Sequence, residues 1–134
     1  MKRVLVVISI LSALLSSPIL AALGDDEGRV EGLFGAPVKE SAPDKRGIIT
    51  RLYQKGKYDI LVQFLNHLSL AESYARPDQL PLSQSEIDAF LEGSSNGRPW
   101  TKDPNKQAWE RADHKAKAWI ATVKERSTLL IEAE

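Results

Sequence analysis

The stretch from Tyr58 to Leu65, YDILVQFL, constrains the fold most, because consecutive side chains must point to opposite faces if it is extended. Tyr58, Ile60, Val62 and Phe64 then share one face, while Asp59, Leu61, Gln63 and Leu65 share the other, the period of two that belongs to strands. Lys55-Gly56-Lys57 before it and Asn66-His67 after it are tight-turn sequences. A β-rich run, Ile48 to Gln54, comes first and Leu68 to Ala75 follows, so the spacing predicts a three-stranded antiparallel meander.

Two short helices frame this meander. The first is expected from about Asp26 to Phe34, with Asp25 and Asp26 suited to the N-cap and first turn. Val30, Leu33 and Phe34 share one helical face, Gly35 takes the left-handed terminal conformation, and Pro37 cannot continue the helix. The acidic run Asp25-Asp26-Glu27 is explained by capping and has no calcium-loop spacing. Residues 38–47 are polar and read as a loop. The second helix starts at a capping box, Ser83 with Glu86, and a hydrophobic staple, Leu82 with Ile87. Ile87, Phe90 and Leu91 form its buried stripe and Gly93 ends it.

Residues 94–106 are a turn-rich connector with Trp100 in the middle. Gln107 to Ala112, Lys115 to Val123 and Thr128 to Ala133 then read as three more strands. The alanines at 112, 116, 118 and 121 favour a single helix from Ala108 to Lys124 as the competing reading. Asp113-His114 and the β-branched Thr122-Val123 tilt the choice to strands. The expected architecture is α+β: an antiparallel sheet with two helices on one face and an order compatible with a tandem αβββ repeat. The half-repeats are about 24–76 and 82–134.

The N-terminus reads as an export signal. Lys2 and Arg3 precede an apolar run from Val4 to Leu15, Pro18 breaks it, and Ala21 or Ala22 offers a cleavage position. That run is shorter than the ~20 residues a membrane span needs, so contact with a membrane is expected only before cleavage. Removing residues 1–21 from the 134 leaves a single domain at 22–134, with 16 basic against 18 acidic residues. A near-neutral charge without a basic stripe gives no footprint for nucleic acid. The chain has no cysteine, which excludes a lipobox anchor, thiol catalysis, disulfides and cysteine metal sites. A periplasmic or secreted location is expected.

Gly24, the capping Asp26, the aliphatic Val30, then Phe34-Gly35 and Pro37 follow a recurring pattern. In this motif and the meander after it, the chain resembles the SmpA/BamE-like outer-membrane assembly lipoproteins and the β-lactamase-inhibitor-protein-like (BLIP-like) domains. The likeness in detail covers about 14 residues (Gly24 to Pro37). It implies a layered fold with an open sheet face used for protein contact. The lipidated cysteine of the lipoproteins and the disulfides of the tandem inhibitors have no counterpart here.

Enzyme-type signals are absent from the sequence. His67 and His114 each follow a turn-forming residue and suit left-handed turn positions. Ser83 is a cap; Ser85, Ser94 and Ser95 lie in no nucleophile elbow, and no phosphate-binding loop follows Gly93 or Gly97. No catalytic, cofactor or metal residue is therefore assigned. Aromatics are the better lead. If Ala118 and Ile120 face the helices, Trp119 and Lys117 point to the open face, with Leu61, Gln63 and Leu65. A tryptophan there is a binding anchor; packed over the sheet or under the connector it is core. The partner-binding candidates are Trp119, Lys117, Trp100, Leu61 and Gln63. The expected function is non-catalytic recognition of an envelope or secreted protein, with a cell-wall glycan module or a small hydrolase as alternatives. Sheet edges leave a homodimer open.

Overall fold

The computed structural model describes residues 23–134; the expected leader and its cleavage position lie outside them. In chain order the elements are α1 (Glu27–Phe34), β1 (Lys39–Glu40), β2 (Ile49–Lys55), β3 (Tyr58–Leu65), β4 (Leu68–Ala75), α2 (Gln84–Gly93), β5 (Trp100–Lys102), β6 (Ala108–Arg111), β7 (Ala116–Val123) and β8 (Arg126–Ala133).

All eight strands join one antiparallel sheet in the order β1-β2-β3-β4-β8-β7-β6-β5. Each half of the chain supplies four consecutive strands, and the halves meet where β4 pairs with β8. This corrects the α+β expectation. The described residues are strand-rich, and their two helices are only 8 and 10 residues long. Each half carries four strands rather than three. The additional strands, β1 and β5, lie in segments that read as loop and connector. They are two and three residues long and pair through backbone groups at the two edges, so they carry no alternation for a sequence to display. Edges this short offer little backbone to another chain.

Local chemistry sets the turns and helix ends. The hairpins β3–β4 and β7–β8 turn on Asn66-His67 and Lys124-Glu125, each pair with both residues at positive φ, the geometry that matches strand twist. The side chain of Asp26 accepts the Arg29 N–H at 2.8 Å at the start of α1, and Gly35 closes the helix at φ 86. At α2, both arms of the capping box form between Ser83 and Glu86. Residues 24–26 lie beside the start of β4, with Gly24 N–H donating to Ser69 O and Ser69 N–H to Asp25 O.

The core lies between the helices and one face of the sheet. Val30 and Phe34 of α1, with Ile87, Phe90 and Leu91 of α2, pack with Tyr53, Ile60, Val62, Tyr74, Leu129 and Ile131. Phe90 is its aromatic centre, stacked on Tyr74 at 4.0 Å and edge-on to Tyr58 at 5.1 Å. Residues 108–124 form strands rather than a helix. Trp109 is directly opposite Ala118 and both are buried, so the alanine is the small partner that makes room for the indole.

Candidate binding face

Both described helices pack on one sheet face, and strand pairing arranges the side chains of the other face in rows across the sheet. One row runs Ala108, Trp119, Leu130, Ser73, Leu61, Leu52 and Lys39, each directly opposite the next on the neighbouring strand. The adjacent row runs Glu110, Lys117, Glu132, Ala71, Gln63 and Thr50. An apolar stripe, Trp119–Leu130 and Leu61–Leu52, is thus flanked by a polar one. Leu61 is 41% exposed in mid-strand.

Four of the five sequence candidates come together on this face: Trp119 and Leu61 in the first row, Lys117 and Gln63 in the second. The ammonium of Lys117 lies 5.7 Å from the centre of the Trp119 ring and 3.7 Å from Glu132. Trp100 does not join them. It pairs with Arg111, whose side chain is on the helix side, and its indole N–H donates to the Leu91 carbonyl at 2.7 Å. That bond ties the connector to the end of α2. Trp109 is core.

The face is concave between β2 and the β7–β8 hairpin. A cleft of about 560 Å³ is lined by Leu52, Leu61, Ala75, Val123 and Thr128, with Lys39, Lys124 and Arg126 among the charged groups. A second cleft of about 190 Å³ shares Thr50, Leu61, Ser73, Val123 and Thr128 with it and extends towards Leu130 and Glu132. Thr128 and Ala75, although on the open face, are both nearly covered. Lys39 escaped the sequence reading because its two-residue strand reads as loop. Leu130 was legible in the alternation of Thr128, Leu130 and Glu132.

Glu72 and Arg111, on the helix side, are closed to solvent. Glu72 is 2% exposed; its Oε1 accepts from the Tyr74 phenol, and its Oε2 is buried with no hydrogen-bond partner among the described residues. Burial pushes its carboxyl up to about 8, and the nearby Asp25 charge adds to the rise. Arg111 donates to both carboxylate oxygens of Asp113 and to the Ser94 carbonyl. The guanidinium holds the Asp113 carboxyl down at about 2. His67 and His114 occupy left-handed turn positions, beside Glu27 and Glu110 respectively. Among the described residues, no group of three or more histidine, aspartate or glutamate side chains could hold a metal ion. None of their helices is long and apolar enough to cross a membrane.

No family model matches the sequence, and no curated protein matches it. Among solved structures, a cysteine-rich secretory protein from Staphylococcus aureus subsp. aureus Mu50 is similar, with a TM-score of 0.48 and 12% identity. The match covers 84% of this chain and 44% of that one, so this chain spans less than half of that protein's length.

Proposed function

We propose that this chain is a small exported binding protein that recognises an envelope or secreted protein through the sheet face opposite its described helices. The observation that carries this reading is the row Trp119–Leu130–Ser73–Leu61–Leu52. Four large apolar side chains cross the sheet, and among the described residues no element packs over them. An aromatic anchor within such a stripe, rimmed by polar groups, is the usual make-up of a protein contact. The resemblance of the Gly24–Pro37 motif to the SmpA/BamE-like and BLIP-like families supports the same reading. Of the three tryptophans only Trp119 is on this face, which favours a protein over a glycan that would stack on several rings.

The test is a pull-down with residues 22–134 from the envelope and medium of the source cell, with Trp119→Ala and Leu61→Asp beside it. Both substitutions lie outside the core and should leave the circular dichroism unchanged. A saturable protein lost with either variant is the expected result. A protein retained by both would remove the open face from the interaction. Binding only to wall fragments would replace the reading with the glycan one.

A further inference from the structure

The cleft on the open face has a charge pattern that selects among partners. Its acidic groups are already matched. Asp59 accepts from Arg126 Nη1 at 2.7 Å, and Glu40, opposite Arg51 on the neighbouring strand, is bonded to that guanidinium. Arg51 lies over Phe64, so the Glu40 carboxylate is drawn to the helix side of the sheet. Among the described residues, two charges at the cleft have no carboxylate partner: Lys39, at the end of the apolar row, and Lys124, on the β7–β8 turn. Both are ammonium groups, and the floor between them is Leu52, Leu61, Val123 and the methyl groups of Ala75 and Thr128.

Resting on the binding reading above, we propose that the cleft takes an acidic segment of the partner protein. An apolar side chain of that segment seats on Leu52, Leu61 and Val123, and carboxylates on either side of it meet Lys39 and Lys124. The placement of the cations favours carboxylates carried on a peptide. Lysine is a point charge that a single carboxylate oxygen satisfies, and no arginine fork is free in the cleft to add bidentate contacts. The one arginine lining the cleft, Arg126, is committed to Asp59. Two separated cations on an apolar floor also call for two separated anions on one chain, which a peptide supplies.

The test is selection from a random peptide library displayed on phage, panned against the purified exported protein, followed by titration of the selected synthetic peptides. The proposal expects peptides with an apolar residue flanked by Asp or Glu. Their affinity should fall as salt is raised, fall about tenfold or more in Lys39→Glu/Lys124→Glu, and vanish in Leu61→Asp. Both lysines are exposed, so the double variant keeps its fold, checked by circular dichroism. Peptides that need Leu61 but are not acidic, or that tolerate the double variant, would overturn the acidic-segment proposal while leaving the open face as the binding surface. If no selected peptide depends on Leu61, the proposal and the binding reading both fall.

Discussion

The Tyr74 phenol donates to Oε1 of Glu72 at 2.8 Å, a pairing of two buried side chains two residues apart on β4. Ser94, at the end of α2, lies 3.5 Å from the same oxygen. Burial raises the Glu72 carboxyl to about 8 and drives the Tyr74 phenol well above its usual value. The folded protein therefore keeps the Glu72 proton between about pH 4.5 and 8, where the unfolded chain releases it. Folding then binds a proton, so stability is greatest below the unfolded value and is lost as pH rises through about 8. The loss approaches roughly 5 kcal/mol if all of it is expressed. Melting temperatures at pH 5 and pH 8.5 (roughly the two ends of that window) should differ, the lower pH being more stable. Glu72→Gln should flatten the slope. A melting temperature that climbs over this interval would reject the argument. Below the interval the sign reverses, because Asp113, held at about 2 by Arg111, contributes stability that is lost as it protonates.

Phe90 joins both helix-side tyrosines, stacking on Tyr74 and meeting Tyr58 edge-on. Phe90→Ala should cost about 3–5 kcal/mol, and Phe90→Leu about 1 kcal/mol, because leucine refills most of the volume. Urea denaturation measures both. Equal losses would mean that shape matters less than the ring contacts.

Trp100→Phe keeps an aromatic side chain over the end of α2 but removes the indole N–H that reaches the Leu91 carbonyl. The expected loss is about 1 kcal/mol. Amide exchange should quicken in residues 94–102, whose position that bond holds. Unchanged exchange there would show that the connector is held by packing alone.

Glu125 holds φ 66 in the β7–β8 turn, a conformation that β-carbon-bearing residues adopt at a cost. Glu125→Gly should stabilise the protein by about 0.5 kcal/mol, the relief of that strain less the added freedom of the unfolded chain. Chemical denaturation reads the difference. A loss of stability would mean that the Glu125 side chain does more than fill the turn.

Features that depend on near neighbours were legible in the residues alone. The alternation in β3, the turns at Asn66-His67 and Asp113-His114, the Asp26 cap, the Gly35 stop and the Ser83–Glu86 box all follow from residues within a few positions of one another. That alternation also assigned Leu61 and Gln63 to one side of the sheet. Tertiary structure alone decided the rest. The fusion of the halves at β4–β8 aligns Trp119 with Leu61 and Lys117 with Gln63, and cross-strand register between distant segments has no local signal. Edge strands as short as β1 and β5 acquire their identity only from the strand beside them, and with β1 came the position of Lys39. The register shift between Gln63 and Phe64 sets Ser69 opposite Phe64 and Glu72 opposite Val62, turning both polar side chains inward. A strict period of two would have kept Ser69 and Glu72 on opposite faces. One extra residue in β4 thus places a carboxyl in the core, which only the paired strand could specify.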